Sequence, residues 1–268
     1  ECRFVLRLAT FLHDIGVVDG VKDHEKNGVK WVETRIKELE ITEDFLLLKS
    51  VVCPVCDNVV PRWDAGICCE CLKNIRYVEP PRCLKCGKHI EEETREYCSD
   101  CEERKHFFKQ GRALYYYKDI AKAIYRYKYK GRKAYAKVFG REMVYYLGDY
   151  IKSLGADAII PVPLFRRKVR RRGYNQATLL ARILGEELNI PVEEKLVIRN
   201  RNTKPLKLLN PEERLNNLKK AFILVENGVK LKRVIIIDDI YTTGSTIDTM
   251  AELLMEWGIE EVYFVTLA

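Results

Sequence analysis

Four Cys-x-x-Cys pairs stand at a regular spacing of fifteen residues in this sequence. A pair at this spacing turns two thiolates toward one ion, and two pairs complete a tetrahedral zinc site. Because the sequence shows no secretory signal peptide, the pairs predict structural zinc ribbons, with about two ions, rather than disulfides. Successive pairs would share an ion in the simplest arrangement, and a cross-braced arrangement is the alternative. The predicted ligands are Cys53, Cys56, Cys68, Cys71, Cys83, Cys86, Cys98 and Cys101, with Cys2 and Cys69 as spectators.

The composition is that of a globular protein, with 47% hydrophobic and 32% charged residues in 268. No apolar run approaches the roughly 18 residues that a membrane span requires, so we expect no span and a cytoplasmic protein. The formal net charge of +8 favours an anionic partner without demanding nucleic acid.

The sequence after about residue 106 alternates apolar runs with stretches of helical periodicity. Val234–Ile237 are consecutive β-branched residues, which is typical of a strand buried on both faces. The alternation predicts an α/β fold, with a mostly parallel sheet covered by helices on both faces. The predicted strands are Ala113–Tyr117, Ala158–Val162, Leu196–Arg199, Val234–Asp238 and Val262–Leu267, and the predicted helices are 120–152, 174–189 and 245–257.

Two adjacent carboxylates, Asp238 and Asp239, follow the strand at the edge where parallel sheets bind ligands. A hydroxyl-rich turn comes next, directly before a predicted helix whose N-terminal N–H groups favour an anion. The carboxylates would repel a plain phosphate, but they accept hydrogen bonds from a vicinal diol. Either half alone is compatible with a solvated strand end or an N-cap turn. Together they predict a ribose 5-phosphate ligand, bound by Asp238, Asp239, Thr242, Thr243, Gly244, Ser245 and Thr246.

From Val234 to Thr246 the sequence resembles the phosphoribosyl pyrophosphate (PRPP) motif of type I phosphoribosyltransferases. An enzyme of that kind also holds pyrophosphate, usually with Mg²⁺. Six cations occupy the seven positions from Arg166 to Arg172, and such a cluster favours an anion that relieves its repulsion. We therefore expect a basic loop that binds pyrophosphate, although a nucleic-acid backbone would suit it equally. Its predicted residues are Pro163, Lys168, Arg172 and Gly173.

Several separated motifs resemble the ComF family of late-competence proteins, over roughly residues 51–268. They are Lys128-Tyr129-Lys130-Gly131-Arg132, Pro161-Val162-Pro163-Leu164, Arg172-Gly173-Tyr174-Asn175-Gln176, and Arg214-x-x-Asn217 with Ala221-Phe222, preceded by zinc knuckles. The sequence departs from the family at Leu206, where a glutamine is usual in the segment that corresponds to the mobile hood loop. This departure puts loop-based chemistry in question.

The resemblance implies a type I phosphoribosyltransferase fold and a PRPP site with Mg²⁺, in which Asp238 and Asp239 are the catalytic pair. It also implies a role in DNA uptake, with competence-machinery proteins as partners. One hypothesis is an enzyme that transfers phosphoribosyl to an unidentified acceptor with release of pyrophosphate. The alternative is an accessory protein that binds PRPP and single-stranded DNA.

The alternative draws on cations interleaved with aromatic residues between Tyr125 and Lys133. Aromatic rings can stack on bases while cations follow the phosphates. On a helix, however, Tyr125 and Tyr129 share a face, and the sequence favours their packing in the core.

We expect three segments: 1–50, 51–105 with the double zinc ribbon, and 106–268 with the phosphoribosyltransferase-like domain. In the first, His13-Asp14 with His24 resembles the metal centre of HD-type phosphohydrolases. An earlier histidine and a later aspartate lack convincing counterparts, so this helical segment is interpreted as a partial, silent HD domain. A phosphohydrolase is the third hypothesis.

Overall fold

The computed structural model describes residues 50–61, 66–92, 94–200, 221–225, 228 and 230–268. The chain divides into two compact units, Glu1–Ile75 and Arg76–Ala268. The predictions for the HD-like segment, including His13, Asp14 and His24, lie outside the described residues. The same is true of Leu206 and of the motif at Arg214. None of the described helices is long and apolar enough to cross a membrane.

The described part of the first unit is a small ribbon. Strand β1 (Ser50–Val52) pairs antiparallel with β2 (Val59–Pro61), and helix α1 spans Cys69–Asn74. Two of the predicted cysteine pairs lie in this unit, one between the strands and one at the start of the helix.

The second unit contains the remaining cysteine pairs and a parallel sheet. Its elements are α2 (Ser99–Glu103), β3 (Gln110–Ala113), α3 (Tyr117–Tyr129), α4 (Tyr135–Ser153), β4 (Ala158–Pro161), α5 (Arg166–Arg172), α6 (Gln176–Leu188), β5 (Val197–Arg199), β6 (Phe222–Leu224), β7 (Arg233–Asp238), α7 (Ser245–Glu256) and β8 (Glu261–Thr266). The strand order is β3-β8-β7-β4, with every pairing parallel, while β5 and β6 form a separate antiparallel pair. The predicted α/β fold is confirmed.

The central strand β7 is buried from Val234 to Ile237, as its β-branched run predicts. Its neighbours β4 and β8 are equally apolar, and Ile236 faces Ile160 on one side and Phe264 on the other in the ladder. Because all four strands run the same way, their carboxyl ends meet at one edge, where Asp238 closes β7.

Three sequence predictions are wrong in this unit. The strand expected over Ala113–Tyr117 is β3 at Gln110–Ala113, because its ladder with β8 begins at Gln110, and Tyr117 begins α3 instead. The single helix over 120–152 is two helices, because the chain leaves α3 after the Lys130 N–H bonds to the Arg126 carbonyl and turns at Gly131, a weak helix former. The basic loop is helix α5, which Arg and Lys favour, and it ends at Gly173 in the left-handed conformation with φ 83°.

Candidate functional site

The eight predicted cysteines form two groups of four, and the sequential pairing is confirmed. The first zinc centre is Cys53, Cys56, Cys68 and Cys71, and the second zinc centre is Cys83, Cys86, Cys98 and Cys101. A cross-braced pairing is wrong, because the sulfurs within each group lie within 4.8 Å of one another. Zinc fits both: Zn–S bonds of about 2.3 Å separate tetrahedral sulfurs by about 3.8 Å. The Cys56–Cys68 and Cys86–Cys98 sulfurs are 3.8 Å and 3.6 Å apart.

The second zinc centre lies in the core that surrounds β7. Cys83 and Cys86 are 1% exposed and belong to the same apolar cluster as Phe108, Ile236 and Phe264. This ribbon also bonds to the edge strand β3, since the Gly111 N–H donates to the Lys85 carbonyl at 2.8 Å. The zinc ion of this centre would therefore be structural, in a closed set of four thiolates.

The predicted acid pair lies at the end of β7, with the two carboxylates in different surroundings. Asp239 is buried, and its Oδ1 accepts from Lys128 Nζ at 2.8 Å. Asp238 is half-buried, and its Oδ1 accepts from the Asp239 N–H at 2.8 Å. Burial and the neighbouring Asp239 charge raise the pKa of Asp238 to about 7. Hydrogen bonds donated by a ligand would stabilise a carboxylate in such surroundings.

Cations from two helices, α3 and α5, and from strand β5 surround this edge of the sheet. Burial lowers the pKa of Lys168, and the charges of Arg199, Arg172, Arg171 and Lys128 lower it further. Burial also lowers the pKa of Arg199, on β5, while Asp238 opposes that shift. Mutual repulsion of this kind is relieved by a multivalent anion among the cations.

The segment Arg172–Gln176 fixes α5 against α3. The Tyr174 hydroxyl donates to the Tyr127 carbonyl, and Gln176 Nε2 donates to the same oxygen at 3.3 Å. Asn175 caps α6 by accepting from the Ala177 N–H at 3.2 Å, and its amide donates to the Val162 carbonyl at 2.9 Å. Arg172 Nη1 donates to Gln176 Oε1 at 3.1 Å. These residues therefore position the cations of α5.

The hydroxyl-rich turn lies at the N-terminus of α7, as predicted. Gly244 has φ 74°, and a Cβ there would lie 2.7 Å from Tyr241 Oη, so only glycine fits without strain. Thr242 and Thr243 are exposed, and Thr243 Oγ1 lies 3.0 Å from Ser245 Oγ. The first N–H groups of α7 and these hydroxyls can bind one phosphate.

Two contacts join this turn to the second ribbon and the segment after it. The Tyr241 ring stacks on Phe264, with centroids 4.6 Å apart, and Lys88 Nζ lies 5.7 Å from its centroid. Asp248, in the first turn of α7, accepts from His106 Nδ1 at 2.7 Å and from the Phe107 N–H at 3.2 Å. The turn thus rests on the ribbon that carries the second zinc centre.

Sequence reasoning missed two partners of the acid pair. Lys128 pairs with Asp239 although the two are far apart in sequence, and Arg199 approaches Asp238 from a strand outside the main sheet. The expected core packing of Tyr125 and Tyr129 is also wrong, since they are 54% and 50% exposed with centroids 5.1 Å apart. The periodicity of α3 could have predicted that these two rings are exposed, because Ile120, Ile124 and Tyr127 already fill its buried face.

Comparison with known proteins shows which families and proteins this chain is similar to. Residues 45–102 match the family described as a double zinc ribbon domain, and residues 169–268 match the phosphoribosyl transferase domain. Competence protein F of Haemophilus influenzae is 32% identical over 203 residues, covering 74% of this chain and 87% of that protein. Competence protein ComFC of Bacillus subtilis is 26% identical over 232 residues, with coverages of 79% and 91%. DNA utilization protein YhgH of Escherichia coli K12 is 33% identical over 146 residues, with coverages of 53% and 64%.

Proposed function

This chain belongs to the ComF family of phosphoribosyltransferase-like competence proteins, and from that premise we propose that it binds PRPP and transfers the phosphoribosyl group to an acceptor. The observation that supports the proposal most strongly is that acidic and basic side chains lie together at one edge of the sheet. An acid pair closes β7, a hydroxyl-rich turn opens α7, and the positive charges of Lys128 and Arg199 act on the acid pair. The relatives named as competence and DNA utilization proteins support a role in handling DNA during uptake.

Each part of PRPP has a matching group at this edge. Asp238 and Asp239 accept hydrogen bonds from the ribose diol, and Lys128 Nζ positions Asp239 by donating to its Oδ1 at 2.8 Å. The turn from Thr242 to Thr246 and the N-terminus of α7 bind the 5-phosphate. Lys168, Arg172 and Arg199 bind the pyrophosphate, which relieves the repulsion that lowers the pKa of Lys168.

Mg²⁺ fits this arrangement as a companion of the pyrophosphate. The ion prefers carboxylate and phosphate oxygens, and the half-buried carboxylate of Asp238 can supply one of them. When bound, Mg²⁺ neutralises charge on the departing pyrophosphate.

In the transfer, the bond between the anomeric carbon and the pyrophosphate oxygen breaks, and the pyrophosphate leaves with the electron pair. A lone pair on the acceptor forms the new bond to that carbon, and the acceptor proton passes to solvent. Lys168, Arg172 and Arg199 stabilise the charge that grows on the leaving group. Asp238 and Asp239 hold the ribose so that its reacting carbon faces the acceptor.

Calorimetry with PRPP and Mg²⁺ tests the binding step. Asp238→Asn removes a charged acceptor and should weaken PRPP binding about tenfold or more. Asp149→Asn, at an exposed position of α4, makes the same charge change and should bind like the parent protein. Unchanged affinity in Asp238→Asn would refute the assignment of the ribose diol. Release of pyrophosphate in a screen of nucleobases and amines would then identify the acceptor.

The pKa of Asp238 gives the binding step a pH dependence. Because this pKa is raised to about 7, the carboxylate is increasingly protonated as the pH falls below 7. PRPP affinity should therefore decrease between about pH 7.5 and 6, and the slope should vanish in Asp238→Asn. The free energy of unfolding should change in the opposite sense, falling as the pH rises from about 4 to 7, because the folded state binds this proton more tightly.

A second candidate function, binding of single-stranded DNA, is favoured by the exposed ring pair on α3. Tyr125 and Tyr129 are both exposed, and the Arg172 guanidinium lies over the Tyr129 ring, 4.7 Å from its centroid. Tyr125→Ala with Tyr129→Ala should weaken binding of a fluorescent oligonucleotide, with a residual affinity that falls steeply with salt. Tyr145→Ala removes a ring of α4 that is 64% exposed and is the control. Equal affinities in all three proteins would refute the stacking role.

A further inference from the structure

A pocket of about 400 Å³ lies between the second ribbon and the edge strand β3. Its lining comes from the ribbon, at Pro81, Arg82, Leu84 and Arg95, and from β3, at Gln110 and Arg112. None of these residues belongs to the acid pair, the phosphate turn or α5. The volume is within the range of small-molecule sites, about 300–1,000 Å³.

Three arginines and one carboxylate, that of Glu96, line this pocket, so its charge is predominantly positive. Neither Arg82 nor Arg112 forms an ion pair with any residue that the structure describes, and both are half-buried. Arg112 lies against the ring of Tyr150, with its Cζ 3.7 Å from the centroid. Burial lowers the pKa of Arg112, and the charge of Arg82 lowers it further, so the two guanidinium groups repel each other. The third cation, Arg95, is paired with Glu102 at 2.5 Å.

The other groups suit a ligand with a flat apolar part. Leu84 is 48% exposed and, with Pro81, forms an apolar wall beside the arginines. Gln110 Nε2 donates to the Leu84 carbonyl at 2.9 Å, which holds the amide at the pocket with its oxygen as an acceptor. Guanidinium groups recognise phosphate through paired N–H donors.

We propose that this pocket is a second binding site of the protein and takes a nucleotide 5′-phosphate, with the phosphate on Arg82 and Arg112 and the base on the Pro81–Leu84 wall. A free nucleotide and the 5′-end of a DNA strand present this same chemistry. Gly87, which also lines the pocket, directly precedes Lys88, whose ammonium lies over Tyr241, the residue before the hydroxyl-rich turn. A ligand that touches Gly87 would therefore contact the residue next to Lys88 in the sequence.

The probe for the test is thymidine 5′-monophosphate, because its deoxyribose lacks the diol that the acid pair would bind. Calorimetry on the full chain, with PRPP and Mg²⁺ present to occupy the other site, should show binding that Arg82→Gln and Arg112→Gln each weaken about tenfold. Arg141→Gln, at an exposed position of α4, makes the same charge change and should bind as the parent does. Leu84→Glu, at an exposed position, should weaken binding without risk to the fold.

Each possible result either supports or overturns the proposal. Absence of binding by the parent protein up to about 10 mM probe, or equal affinities in all variants, would overturn the proposal. Binding that is seen only when PRPP is left out, and that is insensitive to Arg112→Gln, would place the nucleotide at the acid pair and would overturn the proposal as well. Oligonucleotides with and without a 5′-phosphate identify the source. A phosphorylated strand that binds more tightly than the mononucleotide indicates a DNA end, and the reverse order indicates a free nucleotide.

Discussion

The two zinc centres use the same knuckle but differ in what lies against it. In the first, the Asp57 N–H donates to the Cys53 carbonyl at 2.8 Å, and in the second, the Gly87 N–H donates to the Cys83 carbonyl at 2.9 Å. The residue after the second cysteine has a left-handed φ in both, 67° at Asp57 and 75° at Gly87.

The residue at this shared position differs between the two knuckles because the atoms around it differ. A Cβ at residue 87 would lie 2.3 Å from the Gly111 carbonyl oxygen and 2.9 Å from Arg112 Cα. Backbone cannot move aside as a side chain can, so glycine alone allows the second ribbon to pack on β3. Asp57 has a Cβ at the same place in the first knuckle. A metal-binding motif therefore fixes the local turn, while the residue beside it decides what the turn can pack against.

Loss of metal from one centre at a time should give the largest difference between them. Cys56→Ser and Cys86→Ser should each reduce the zinc content from about two ions to about one, because three ligands bind zinc poorly. Cys86→Ser should also abolish measurable PRPP binding and lower the melting temperature of the second unit, since its centre lies in the core around β7. Cys56→Ser should keep PRPP affinity, because the proposed site residues all belong to the second unit. Elemental analysis, calorimetry and thermal unfolding measure these effects, and equal loss of PRPP affinity in both variants would erase the distinction.

Exchange of the residues after the knuckles should have the next largest effect. Gly87→Asp should destabilise the protein by about 3 kcal/mol or more, because it combines a disfavoured φ with overlap on Gly111. Asp57→Gly, the reciprocal change, should alter the free energy of unfolding by about 1 kcal/mol or less. Urea unfolding measures both, and similar losses in the two variants would show that the knuckles have equivalent surroundings.

The smallest effect is expected at the contact between α7 and the segment after the second ribbon. Asp248→Ala removes the acceptor of His106 Nδ1 and of the Phe107 N–H and should cost about 1–2 kcal/mol of stability. It should also weaken PRPP binding about threefold, because the N-terminus of α7 loses its support. Asp149→Ala is the exposed control. If Asp248→Ala kept the parent's PRPP affinity while Cys86→Ser lost it, the contact of Asp248 with His106 and Phe107 would not couple the second zinc centre to the site.

The sequence predicted those features that are encoded by short spacings. Cysteine spacing was sufficient for two zinc ribbons and favoured the sequential pairing without excluding the cross-braced one. The run Val234–Ile237 was sufficient for a buried parallel strand ending at the acid pair. Both depend on residues that are close together in the chain, so local chemistry determines them.

The features that the sequence did not predict depend on residues that are distant in the chain. Lys128 and Arg199 reach the acid pair only after the sheet and the β5–β6 pair have formed, and no local pattern marks them. The burial of the second zinc centre depends on Phe108 and Phe264, and four identical spacings cannot distinguish it from the first. The basic segment was expected to be a loop because its charge suggested a ligand, whereas the helix propensity of Arg and Lys determined its backbone.

The burial of the second zinc centre also bears on how the protein is made. Its four ligands leave the ribosome well before Ile160, Ile236 and Phe264, the strand residues that enclose it. The first centre collects its ligands between residues 53 and 71. During translation, therefore, the thiolates of the second zinc centre are exposed to water until those strands have been synthesised. Oxidation of the thiolates, or loss of the zinc ion, is most damaging in that interval. Zinc supply at the moment of synthesis, rather than in the finished protein, should determine the yield of active molecules.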